Sequence, residues 1–333
     1  MKLMDSNSKV SKSLMAAMLI ASVLFTVSCE KGNSGMDSKP IPPSASEFRH
    51  HRELALDKRM EKVKIDVENG VLNFESINGS LLNINCLSLN QEPVNGEVEL
   101  TYIELFDKKD MVTTNKPLMG RMENGDKAAL VTGGEFFIEV KKDGEPVDPV
   151  QGCPIRLQVS SMHTGGPDQD MILWEGIIDE NGDLTWDTLD NANGDNKDGL
   201  FIEGEFYYAV FSNFGWTNID RFYSDERPKT TMQVKVSEGY DYKNSAVYIS
   251  YYGERAMAQL DTYDDITKIF SEHYGQIPIG LDVHIIFATV DGEDWRYAIQ
   301  DVTIEEDKVY SFSIDDTKTA SEEEFTNILS QLP

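Results

Sequence analysis

The sequence predicts an all-β protein with one or two short helices, built as two β-sandwich domains, the second immunoglobulin-like. Three observations carry that expectation. Short runs with apolar residues at alternate positions recur from residue 63 to residue 314. Pairs such as Asn69-Gly70, Asn78-Gly79, Asp143-Gly144 and Asp291-Gly292 punctuate them, the chemistry of hairpin turns that need positive φ. Helical spacing is confined to the stretches 46–62, 264–273 and 321–329.

Taken in order, Val63, Ile65 and Val67 alternate with polar neighbours, and Leu72 and Phe74 do so beyond the Asn69-Gly70 turn. An apolar run at 81–89 follows, then 96–106 (GEVELTYIELF) with Val98, Leu100 and Tyr102 opposite Ile103 and Leu105. Gly133-Gly134 precedes a strand at 135–140. Paired glycines there permit positive φ or a close backbone approach, the requirements of a bulge or tight corner. Residues 171–178 and 182–187 form an expected hairpin carrying Trp174 and Trp186. The run 201–214 (FIEGEFYYAVFSNF) is apolar on both alternating faces, which places it in the middle of a core or at a domain junction.

Beyond Pro228, strands are expected at 231–236, 246–252, 281–290, 295–304 and 309–314. Their number and spacing are the basis of the immunoglobulin-like expectation. A helix at 264–273 is expected from Ile266, Ile269 and Phe270 behind an Asp264 cap. A last helix opens on the capping box Ser321 to Glu324 and buries Phe325, Ile328 and Leu329.

The N-terminus fixes an address. Lys2, Lys9 and Lys12 precede the apolar stretch 14–29 (LMAAMLIASVLFTVSC), which ends in Ser28-Cys29. A basic lead, a short apolar segment and a small residue before the cut describe an export signal. With a cysteine directly after the small residue, it resembles a bacterial lipoprotein signal, although Thr26 stands where such signals carry Leu, Val or Ile. The resemblance implies lipidation at Cys29, removal of 1–28, and a protein held at a bacterial cell envelope, in the outer membrane on its periplasmic or surface face. Residues 29–62 are then a flexible tether, rich at first in Ser, Gly and Pro. Within it 46–62 reads either as a short helix or as more of the leash, and His50-His51 has no further ligand at metal spacing.

The first sandwich domain spans 63–228, with a core at 63–159, and the second spans 229–333. Within the first, GEVELTYIELFDKKDMVTTNKPLM and LVTGGEFFIEVKKDGEPV resemble a segment of exported lipoproteins of Bacteroidota-type bacteria. GWTNIDRFY at 215–223 resembles another piece of the same proteins. More distantly, the double glycine before an apolar strand and the turn Gly152-Cys153-Pro154-Ile155 are similar to the β-sandwich shared by zona-occludens proteins, netrin receptors and ankyrins. That resemblance implies a fold and a partner-binding or load-bearing role, with no catalytic residues to carry over.

The formal charge of −28 becomes −30 once residues 1–28 are removed. Nucleic acid is excluded as a partner, because phosphate binding needs a basic face. Of the three cysteines, Cys86 and Cys153 remain beside Cys29; an exported protein permits their disulfide, and each is otherwise a small buried hydrophobe. Asn191, Asn193 and Asp195 fall at positions one, three and five of a calcium loop. The twelfth position is Ile202 rather than an acid, so a polar loop explains the same letters. Calcium is the one cofactor the sequence suggests. Trp174, Trp186 and Trp216 are candidates for a sugar platform, against the prior that aromatic runs in strands form core. No nucleophile elbow, zinc helix motif or phosphate loop is present. The expectation is therefore a non-catalytic structural or adhesion-type binding module with an envelope protein or glycan as partner, the alternative being a glycan-binding or glycan-processing protein.

Overall fold

A computed structural model describes residues 40–179, 184–189 and 199–333. Cys29 and the loop residues Asn191, Asn193 and Asp195 lie outside them. Strands dominate, and the α-helices are short: α1 (Ala45–Asp57), α2 (Lys108–Thr114) and α3 (Glu322–Ser330). The chain is all-β, as the alternating pattern requires.

An eight-stranded sheet runs Met60–Val67, Gly96–Leu105, Lys127–Lys142, Gly215–Phe222, Ile172–Ile178, Leu184–Thr188 and Met119–Arg121, with Glu145–Pro146 added to the long strand. A five-stranded sheet runs Gly199–Glu203, Phe206–Phe211, Ile155–Ser160, Leu81–Ile84 and Leu72–Glu75. Val98, Leu100, Phe136 and Ile138 of the first share a core with Leu82, Ile155, Leu157 and Tyr207 of the second. Period-two alternation decides which side chains those are. Ile155, Leu157 and Val159 are buried, while Arg156 and Gln158 turn to the other face.

The second half repeats the plan. A four-stranded sheet (Thr262–Asp264, Ile269–Pro278, Lys229–Lys235, Val309–Ser311) and a five-stranded one (Met257–Gln259, Ala246–Tyr251, Asp282–Asp291, Asp294–Thr303, Lys318–Ala320) enclose Val234, Phe270, Val247 and Ile285. Every residue of Ala246–Tyr251 is buried. One face looks into that sandwich; the other, with Tyr248, Ile286 and Trp295, is covered by Phe48 of α1, Met111 and Val112 of α2 and Phe325 of α3.

The two sandwiches are joined by direct contacts. Thr132 N donates to Arg255 O at 3.0 Å, Leu118 N to Met257 O at 3.1 Å, and the Tyr248 hydroxyl to Asn115 Oδ1 at 2.6 Å. From Pro40 onward the chain belongs to one compact unit.

Four expectations need correction or resolution. The tether does not reach residue 62. Ser44 caps α1 through a capping box with Glu47, and Phe48 and Ala55 are fully buried, Phe48 edge-on to Trp295 at 6.3 Å. Arg59 then ties α1 to α2 and α3, donating to Asp110 (2.7 Å), Thr113 (3.1 Å) and Glu322 (3.4 Å). His50 and His51 diverge: His50 stands 4.0 Å from Glu53, and His51 Nε2 lies 3.0 Å from Glu293 O.

The helix at 264–273 is a hairpin. Asp264 does accept from Ile266 N and Thr267 N (2.9 and 2.7 Å), but Lys268 at φ 61° turns the chain back, and Ile266 is 91% exposed. The run 201–214 is likewise a hairpin rather than one doubly buried strand, because Gly204 at φ 61° reverses it. The Ser321 helix, in contrast, is α3, with Glu324 N donating to Ser321 Oγ and Phe325 and Leu329 buried.

Gly133-Gly134 is the corner that paired glycines allow. The pairing of Lys127–Lys142 with Gly215–Phe222 slips between Asn218 and Asp220, opposite the glycines. Gly134 lies at φ 129°, and a Cβ on Gly133 would sit 2.7 Å from Ile219 O.

Cys86 and Cys153 are bonded, with Cα atoms 6.3 Å apart, closing a segment of 67 residues. Cross-linking a loop of that length restricts the unfolded chain. Replacing both with alanine is expected to lower stability by roughly 2–4 kcal/mol, read by urea denaturation with and without reductant. An unchanged midpoint in reductant would contradict it.

Candidate functional site

The outer face of the five-stranded sheet is the part of the molecule best arranged to meet a ligand. Register places two rows of side chains across it. One runs Phe201, Tyr208, Gln158, Leu81 and Glu75; the next runs Gly199, Val210, Arg156, Asn83 and Asn73. Most of these line an open groove of about 600 Å³. Five strands at ~4.8 Å spacing make the face about 19 Å wide.

The face is amphipathic in a particular way. Phe201 is 61% exposed, Leu81 41% and Phe206 36%. Phe206 and Tyr208 approach at 6.4 Å between ring centres. A second groove of about 390 Å³, lined by Ile172, Leu189 and Leu200, adjoins Phe201. Among the polar groups, Asn83 donates to Asn73 and accepts from Asn85 at 3.0 Å, an amide ladder along the edge. The side chains of Arg156 and Gln158 and the Tyr208 hydroxyl have no hydrogen-bond partner among the described residues. Apolar ring faces beside unspent donors and acceptors are the usual makings of a binding surface.

The three tryptophans named as a sugar platform are core. Trp174 and Trp186 are fully buried and Trp216 is 7% exposed. Trp174 Nε1 donates to Asp220 O (2.9 Å) and Trp186 Nε1 to Pro117 O (3.3 Å). Gly176 admits this packing, since a Cβ there would fall 2.5 Å from Trp216 Cβ and 2.9 Å from Trp186. Their apolar area is spent on the fold.

Several carboxyls have the perturbed acidity seen in catalytic sites. Burial pushes Glu135 and Asp220 well above the carboxylate range, the Asp220 charge raising Glu135 further, and neither Glu135 oxygen has a partner among the described residues. Both are fully buried, and neither lines the grooves described above. Glu104 is held by Ser76 Oγ, Ser80 Oγ and Tyr102 OH at 2.9, 2.8 and 3.1 Å. His284 is buried, with Nε2 2.7 Å from Asp301 and its ring stacked on Tyr252. His163 stacks on Phe106 at 4.5 Å. Among the described residues no cluster of three or more His, Cys, Asp or Glu is disposed to hold a metal.

No protein-family model matches this chain, and no curated protein matches it. The outer face was not legible because 201–214 reads as apolar on both sides; Gly204 was the one letter that marks the reversal and so frees Phe201, Phe206 and Tyr208.

One buried acid gives a pH signature. Burial raises Glu272 to about 7, against the pull of backbone donors Gln276 N and Gly275 N at 3.3 Å. The folded protein therefore holds a proton that the unfolded chain releases above about 4.5. That contribution is complete below pH 4.5 and is lost as pH rises to 7. Glu272→Gln is expected to raise stability at pH 8 by on the order of 2–3 kcal/mol relative to its effect at pH 4.5, read from denaturation midpoints at both. Equal effects at the two pH values would contradict the assignment.

Proposed function

We propose that this protein is a lipid-anchored module of a bacterial cell envelope, in the outer membrane, that works by binding and not by catalysis. The observation that carries this reading is the outer face of the five-stranded sheet: exposed Phe201 and Phe206, half-buried Tyr208, and unpartnered Arg156 and Gln158 on a rigid backing. A sheet whose other side is core presents such groups with little entropy left to lose. Glu135 and Asp220, in contrast, are fully buried and away from this face.

The lipoprotein-like segment 14–29 supplies the other half of the argument. Several acyl chains on Cys29 would hold the body at a membrane, since one chain alone binds only reversibly. Confinement there raises local concentration, so a modest surface contact suffices. The −30 charge of the remaining chain suits a body that stays soluble beside a membrane.

The test has two arms. Mass spectrometry of the membrane fraction is expected to find an acylated N-terminal Cys29, with Cys29→Ala released to the soluble fraction. A photo-crosslinking residue in place of Phe201 is expected to capture envelope material on intact cells, and the same residue in place of exposed Ile266 is not. An unmodified N-terminus overturns the anchor; equal capture from both positions overturns the binding face.

A further inference from the structure

The groove also specifies a ligand class, an inference that rests on the outer face being the binding surface. Acids outnumber bases in this chain by 58 to 30, and six of its nine arginines pair with carboxylates: Arg59, Arg121, Arg221, Arg227, Arg255 and Arg296. Arg156 does not. It stands on the central strand of the sheet, exposed, and its guanidinium has no ion pair or hydrogen bond among the described residues. Its cross-strand neighbours are the neutral Asn83 and Val210, and the rest of its row is neutral as well.

We propose that this groove binds a largely neutral oligosaccharide bearing a single carboxylated sugar, with Arg156 pairing to the carboxylate and Tyr208 and Phe201 stacking on the ring faces. Three features select that chemistry. A pyranose has an apolar C–H face and an edge of hydroxyls, which match the aromatic surfaces and the free Gln158 amide lying in one row. A guanidinium fork matches a carboxylate in geometry as well as charge. A polyanion is disfavoured, because Glu75 closes the same groove and the whole body is acidic.

An acidic peptide fits less well. Extended peptides add to the open edge of a sheet through backbone hydrogen bonds, whereas Arg156, Gln158 and Tyr208 stand on its face, one and two strands in from the edges. The face offers side chains and no backbone.

The experiment is an oligosaccharide array printed in matched pairs, each neutral chain beside the same chain carrying one uronic- or sialic-acid residue, with a polyglutamate peptide as a further spot. Acidic members are expected to bind roughly ten- to a hundred-fold more tightly than their neutral partners. Arg156→Ala is expected to erase that difference, Arg156→Lys to keep part of it, and Tyr208→Ala to weaken both members. Arg156 is exposed, so its variants should melt with the native protein. Equal binding of neutral and acidic chains, unmoved by Arg156→Ala, overturns the ligand class and leaves the binding module standing. Polyglutamate binding through Arg156 without any saccharide binding does the same. No binding to any spot overturns the proposal, and if crosslinking from Phe201 also fails, the binding-face reading falls with it.

Discussion

The sixteen-residue strand Lys127–Lys142 is the rail against which the first half of the molecule is registered. It pairs with Gly96–Leu105 on one side and Gly215–Phe222 on the other, takes Met119–Arg121 and Glu145–Pro146 at its ends, and touches the second sandwich through a bridge from Val131 to Ala256. A slip of one residue along such a strand would exchange its buried and exposed faces. The bulge at Gly133-Gly134 changes register within one strand instead, and it sets Glu135 and Asn218 on the side of the buried tryptophans.

That register also fixes what faces water. Because Phe136 and Ile138 close against Leu157 and Tyr207, the alternate residues of the five-stranded sheet have nowhere to go but outward. Arg156 is exposed, and Gln158 and Tyr208 are half-buried on the outer face, as a consequence of where Ile155, Leu157 and Tyr207 are buried. Outer face and core are thus two readings of one alternation. In the second half the outer face of the five-stranded sheet is instead covered by the three helices, with Phe48 and Phe325 on Trp295.

Much of this was written in local pattern. The strands, the Asn69-Gly70 turn, the glycine-pair corner and the capping box of α3 each rest on a few neighbouring residues, and local rules read them. What escaped depends on distant partners. Helix α2 is one turn past an apolar strand and ends on Asn115 at φ 54°; nothing in KKDMVTT separates it from a loop without Tyr248 and Arg59 packed on it. The Asp264 cap was real, yet it serves a hairpin, because the turn at Lys268 is a backbone state that periodicity does not report. The docking of α1 depends on Trp295, nearly 250 positions away, and the Cys86–Cys153 bond spans 67 residues. The candidate site was the hardest of all, since an exposed aromatic row and a buried one look alike until the hairpin at Gly204 is known.

Hydroxyl-radical footprinting of the purified protein and of the protein on intact cells tests the whole account at once. Phe201, Phe206 and Tyr208 should oxidise readily in the purified protein and be protected on cells, while Trp174, Trp186 and Trp216 stay unreactive in both. Rapid oxidation of those tryptophans in the folded protein, or outer aromatics equally reactive in both settings, would contradict it.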